Sequence, residues 1–320
     1  MKQMLRMAAV CIGLLLVIAL PVSATEYGAP EITPKTTMKQ LRENPSIKGS
    51  GLYTYVYIWE RDCDLLRHSK DNDTMEQVIG TESVNSCVAG MNYLIETYNA
   101  GTQITYKLFS PEEIAQDASR DRAELYYFPA EQPGAKYAVV LSGNALFYSG
   151  EMRGGVSTAW ELHQQGYAVF ALRYRIGLDA TDNAPLEDLG RAIQFITANA
   201  QQFGVQTEDY ALVGYSSGGQ IAGIFGGKEL GYPNYGVPKP GALLLAYPIN
   251  NFYETKPLYH VLLDTDALER RYYDYNISDC VDADYPPTYF WYGQDDILLI
   301  AFNYWQQGPA QGAGNVWRAL

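Results

Sequence analysis

The stretch YALVGYSSGGQIAGIFG, running from Tyr210 to Gly226, decides how the rest of the chain is read. Asp209 to Gly214 has the apolar character of a central strand, and the residues from Gly219 onward carry a helical pattern. Between them, Gly214-Tyr215-Ser216-Ser217-Gly218 spells G-x-S-x-G. Glycine allows close backbone approach and left-handed angles that other residues resist. A strand-to-helix setting is what a nucleophile elbow requires, with the serine hydroxyl standing above the sheet. The Ser217 N–H would face the same space, where a helix N-terminus favours developing negative charge. An ordinary tight turn can be written with the same letters.

Working outward, apolar strands alternate with helices. Strands are expected at Ala123–Phe128, Tyr137–Leu141, Tyr167–Tyr174, Tyr210–Tyr215, Ala242–Tyr247 and Thr288–Tyr292. Helices are expected at Val156–Gln165, at Pro185–Phe203 and from Gln220 on. The alternation predicts an α/β class: a mostly parallel sheet with helices on both faces. Upstream, Leu52–Trp59 and Gln103–Phe109 read as strands. Val84, Cys87, Val88, Met91, Leu94, Ile95 and Tyr98 recur at helical spacing. Ser110, Pro111 and Glu113 write a capping box with proline in the first turn. Residues 25–120 are thus expected to be an N-terminal α+β accessory region, and 121–320 the main domain.

The N-terminus has the pattern of a signal peptide over 1–24. Lys2 and Arg6 precede an apolar run from Ala8 to Leu20, then Pro21 and the small residues of Val22-Ser23-Ala24. The chain is expected to be secreted; the alternative is an uncleaved N-terminal membrane anchor. The formal charge of −13 argues against nucleic acid or an anionic membrane as partner. Beyond the signal stand Cys63, Cys87 and Cys280, an odd number that permits at most one internal disulfide. Cys63 with Cys87 is the pair nearest in sequence. With three histidines and no H-E-x-x-H, no metal is expected, and with neither a P-loop nor a dinucleotide fingerprint, no cofactor.

Two further segments carry chemistry. The strand Tyr137–Leu141 runs into Ser142-Gly143-Asn144-Ala145, small residues where a backbone N–H can approach a substrate oxyanion. The strand Thr288–Tyr292 runs into Gly293-Gln294-Asp295-Asp296, a place for the acid that orients a histidine. Asp296 has the G-x-x-D spacing, with Asp295 second.

Taken in order, LSGNA, GYAVFALRYR, PLEDLGRAIQFI, GYSSGG, LLLAYP and PPTYFWYGQDD resemble the α/β-hydrolase superfamily over about Ala123–Ile297. The chain is most similar to the bacterial esterase/lipase branch related to hormone-sensitive lipase and to feruloyl- and acetyl-esterase-like enzymes. The resemblance implies Ser216 as nucleophile and Asp296 as triad acid. It implies an oxyanion hole from the backbone of Gly143 or Asn144 together with Ser217. Where the branch has a His-Gly-Gly-Gly type loop, this chain has Ser142-Gly143-Asn144-Ala145. The implied substrate is a small-molecule or polysaccharide-linked ester, with acetyl or feruloyl groups in view.

The resemblance also implies a histidine after the acid, and none of His68, His163 and His260 follows Asp296. His68 is expected at the surface and His163 as a cation near a helix C-terminus; His260 falls where such folds insert cap segments. No last strand is legible after the acid loop. The expectation is a truncated or frame-shifted esterase that diverges after Gly308, of doubtful activity as written. The rival readings are a serine peptidase of the same fold and a catalytically inactive, hydrolase-like binding protein.

Overall fold

The computed structural model describes residues 31–52, 69–143, 150–180, 182–250, 275–292 and 316–318. Its centre is one sheet of eight strands: β1 Thr105–Lys107, β2 Glu124–Phe128, β3 Tyr137–Leu141, β4 Ala168–Arg173, β5 Ala211–Tyr215, β6 Ala242–Ala246, β7 Thr288–Trp291 and β8 Val316–Arg318. The spatial order is β1-β2-β4-β3-β5-β6-β7-β8. β2 pairs antiparallel with β1 and with β4; every other pairing is parallel. All five residues of β3 are buried, as expected for a central parallel strand covered on both faces.

The helices are α1 Met38–Glu43, α2 Pro45–Ser50, α3 Met75–Ile79, α4 Val84–Asn99, α5 Pro111–Gln116, α6 Ser157–Gln164, α7 Ala184–Ala198, α8 Ala200–Phe203, α9 Ser216–Phe225 and α10 Ile277–Cys280. The capping box read at Ser110 and Glu113 is formed, with both reciprocal hydrogen bonds present. Successive β3 side chains alternate between two cores, Val139 and Leu141 into one, Ala138 and Val140 into the other. The first core packs Leu189 and Ile193 of α7 and Ile221 and Ile224 of α9 against Phe170 and Leu212. The second packs Met91 and Leu94 of α4 and Ala159 of α6 against Val169 and Val213. Phe170 is fully buried, and truncating such a ring to Ala costs about 3–5 kcal/mol.

The C-terminal end of β4 is tied to α7 by charge. The buried Arg175 donates from its backbone N–H and from Nε to Asp188, at 2.8 and 3.0 Å. Asp188 is fully buried, so this pair fixes geometry more than it adds net stability.

Two sequence expectations need correction. Residues 316–318 form β8, parallel to β7, although no last strand was legible in the sequence; three residues are too few to show a period. Cys87 is a free thiol rather than a disulfide partner. It lies fully buried on α4 with Sγ donating to the Met152 carbonyl at 3.2 Å, and burial pushes its pKa up to about 12. Cys63 and residues 53–59 of the strand expected at Leu52–Trp59 lie outside the described residues.

Candidate active site

The turn from β5 into α9 is left-handed at a residue that is not glycine. Ser216 has φ of +50°, a conformation that costs about 1–3 kcal/mol and persists only where its surroundings enforce it. Those surroundings are the glycines of the motif. A Cβ on Gly214 would come within 2.6 Å of the Gly218 carbonyl oxygen and of Gly219 Cα. One on Gly218 would run into the carbonyl oxygens of Leu141 and Ser142, and one on Gly219 would sit 2.9 Å from Pro248 Cβ. The Ile249 N–H closes the turn from the far side by donating to the Ser216 carbonyl at 3.2 Å. Ser216 itself is half-buried, whereas Ser217 is fully buried.

Gly143 forms the opposite wall. A Cβ there would stand 2.9 Å from both Ser216 Cβ and the Tyr215 carbonyl oxygen, so only glycine fits against the elbow. α9 starts without a side-chain cap, which leaves its first amides to other acceptors. The loop carrying Gly143 is held from below by Tyr174, whose hydroxyl donates to the Ser142 carbonyl at 2.8 Å and lies 3.4 Å from Ser217 Oγ. Ser216, Ser217 and Gly143 are therefore brought together. Asn144, Asp295, Asp296, His68 and His260 lie outside the described residues.

Sequence reading missed the segment that follows the loop. Glu151–Val156 is a π-helical turn leading into α6, a form that is rare and frequent at functional sites. A Cβ on Gly150 would come 2.5 Å from the Gly143 carbonyl oxygen, and one on Gly154 3.5 Å from Ser142 Cβ. Beneath them the Glu151 side chain is buried, its Oε1 without a hydrogen-bond partner among the described residues. Burial pushes its pKa up to about 7 against the pull of Arg173, and Glu124 adds a further push.

His163 corrects a further expectation. It stands in the last turn of α6, as expected, but as a buried ring rather than a cation, 4.3 Å from the Tyr93 ring and 5.6 Å from Trp160. Burial lowers its pKa, so the neutral imidazole is favoured. No cluster of metal-ligating side chains occurs among the described residues.

Residues 124–231 match the BD-FAE family model. A sequence relative is endo-1,4-beta-xylanase B of Butyrivibrio fibrisolvens, 23% identical over 182 residues, which are 53% of this chain. The match spans 27% of that protein's length. Among solved structures, esterase B of Lactobacillus rhamnosis superposes with a TM-score of 0.54 at 18% identity, covering 68% of this chain and 73% of that one. An acetyl ester-xyloside bifunctional hydrolase from Caldicellulosiruptor lactoaceticus gives 0.51 at 19% identity, over 61% and 76% of the two chains. With its β5–α9 elbow and mostly parallel sheet, the chain has the α/β-hydrolase fold of these solved structures, and its segment 124–231 matches the BD-FAE family.

Proposed function

We propose that the chain is a carboxylic ester hydrolase that works through Ser216. The observation carrying this reading is the left-handed Ser216 between β5 and α9 with the Gly143 backbone packed against its Cβ. Ser216 Oγ attacks the ester carbonyl carbon as its proton passes to a base, which returns it to the departing alcohol oxygen when the C–O bond breaks. The carbonyl electron pair moves onto oxygen, where the N–H of Ser217 and an N–H of the Gly143–Asn144 loop hold it. Collapse of this intermediate expels the alcohol and leaves an acyl-Ser216, which water then hydrolyses. Asp296 is assigned as the acid that orients a histidine.

The proposed substrate is an acetyl or feruloyl ester on a polysaccharide. The names of the similar proteins, a xylanase and an acetyl ester-xyloside hydrolase, support this class. Among the described residues no helix is long and apolar enough to cross a membrane. The pattern of residues 1–24 supports export, and N-terminal sequencing of the exported protein should begin at Thr25. The hydrolytic reading is tested with p-nitrophenyl acetate. Release of p-nitrophenol above the buffer rate should disappear in Ser216→Ala; equal rates in both proteins would refute it.

A further inference from the structure

The buried carboxyl of Glu151 lies under the wall of the elbow and takes no part in the chemistry set out above. Its surroundings are charged but already paired. The strand register aligns Lys107 of β1 with Glu124 of β2, and Glu124 with Arg173 of β4, so the three form a row on one face of the sheet. Glu124 collects the donors: Arg173 Nη1 at 2.9 Å, Lys107 Nζ at 3.0 Å and the Tyr126 hydroxyl at 3.1 Å. A Cβ on Gly155 would touch both Ala171 Cβ and Glu151 Cβ at 3.6 Å. Glu151 therefore packs on the face of β4 that carries Arg173 two residues on. Its Oε1 meets no donor among the described residues. An ionised carboxylate has about four acceptor positions to fill, and burying it unfilled costs far more than burying the neutral acid. The seated side chain is thus the protonated one, with the pKa pushed up to about 7 by burial, against Arg173 and with a further push from Glu124. The other ionisable groups facing it, Tyr126 of β2 and Cys87 of α4, are held neutral by their own burial. On α6, Glu161 turns out to Ser86 and His163 is enclosed by Tyr93 and Trp160. β3 contributes only Ala138 and Val140 to this core, and Arg153 of the turn itself reaches toward Gly80.

A chain of backbone contacts connects this carboxyl to the nucleophile. Glu151 opens the π-helical turn and follows Gly150. Gly150 packs on the Gly143 carbonyl oxygen, where a Cβ would come within 2.5 Å, and Gly143 packs on Ser216 Cβ. Neither contact has slack. The opposite side of the turn is fixed to α4: Cys87 Sγ donates to the Met152 carbonyl at 3.2 Å, and a Cβ on Gly90 would stand 3.2 Å from the Val156 carbonyl oxygen. On the loop side the constraint is packing alone. Ser142 Oγ, 3.4 Å from a Cβ placed on Gly150, has no hydrogen-bond partner among the described residues. Water that reaches an ionised Glu151 must part the turn from the sheet, and the side held by α4 cannot yield first. The displacement falls on Gly150 and hence on Gly143.

We propose that Glu151 is a positioning residue for the oxyanion wall: its neutral carboxyl lets the π-helical turn seat Gly143 against Ser216, and loss of the proton draws the turn outward and the wall away. The consequence at Ser216 rests on the ester-hydrolase reading above; the motion of the turn does not. The test compares the full-length protein with Glu151→Gln, which keeps the neutral shape at every pH, at pH 5.5 and pH 8. One unit above a pKa of about 7, the ionised form outnumbers the protonated one about tenfold. At pH 8, hydrogen–deuterium exchange over residues 150–156 should therefore be about tenfold faster in the unsubstituted protein than in the variant. Fluorophosphonate labelling of Ser216 should be about tenfold slower. At pH 5.5 both ratios should return to one. Comparing the two proteins at one pH cancels the intrinsic pH dependence of exchange and of labelling. A purely structural Glu151 gives the same ratios at both pH values, and that result overturns the proposal. If the variant does not fold, the unsubstituted protein decides: exchange over 150–156, corrected for its intrinsic pH dependence, that stays level from pH 5.5 to 8 also overturns it. The expected exchange with no labelling at any pH sinks the hydrolase reading and leaves the turn's proton dependence standing. Labelling of Ser216 with level exchange does the reverse.

Discussion

Gly143 has no room for a methyl group, because its Cβ would lie 2.9 Å from Ser216 Cβ. Gly143→Ala must therefore displace either the loop or the elbow. Ester cleavage or covalent labelling at Ser216 should fall by about 10²–10³, the loss typical of one oxyanion donor. Stability should fall by about 1–3 kcal/mol, the range for overpacking; unchanged labelling kinetics would count against the wall assigned to this residue. Glu151 gives a pH-dependent prediction. Its folded pKa of about 7 lies above its ordinary value, so the folded state holds the proton more tightly. The stability this supplies is full below the ordinary carboxylate range and is lost as pH rises through 7, by about 3 kcal/mol. Glu151→Gln should therefore flatten the difference in urea midpoints between pH 5 and pH 8, and an unaltered difference would contradict the assignment. The bend at Ser216 was legible in the sequence because glycines flank it between a strand and a helix. Glu151 and His163 were not, because their burial is decided by elements distant in the chain.

At the scale of elements, α4 and α6 approach so closely that Gly90 meets a neighbour wherever a side chain would go. A Cβ there would stand 3.0 Å from Val156 Cγ1 and 3.1 Å from Trp160 Cβ. Gly90→Val should cost about 1–3 kcal/mol and lower Tm by roughly 2–4 °C per kcal/mol. A melting curve that does not move would mean that the helices part easily. Most strands were legible because buried parallel strands are short, unbroken apolar runs: Tyr137–Leu141 and Ala242–Ala246 match their expected positions to within a residue. The long helix expected at Pro185–Phe203 divides at Asn199 into α7 and α8. Asn199 turns its side chain back to the Phe195 carbonyl at 2.8 Å, a local competition with the helix ladder that a periodic pattern does not register. The π-helical turn was also hidden, since its six residues have no apolar period of their own.

For the whole molecule, the question is how the N-terminal layer relates to the sheet. Met38, Met75, Met91 and Leu94 share one core with Tyr126, Val140 and Val169, and β1 lengthens the sheet. We propose that the two regions fold together. Deleting residues 25–100 uncovers the surface of α6 and of the π-helical turn that α4 packs on, so the remainder should bind the dye ANS and lose its cooperative melt; a sharp melt would show the sheet domain to be independent. The sheet class was legible in the sequence, but the strand order was not. β4 lies between β2 and β3, and such pairings depend on contacts distant in the chain rather than on local pattern.

The most direct measurement is mass-spectrometric mapping of the folded protein after prolonged exposure to a fluorophosphonate probe. A single adduct on Ser216 is expected, lost on unfolding in urea and slowed in Gly143→Ala. No adduct, or adducts spread over other serines at the rate of the unfolded chain, would contradict a strained nucleophile facing main-chain amides.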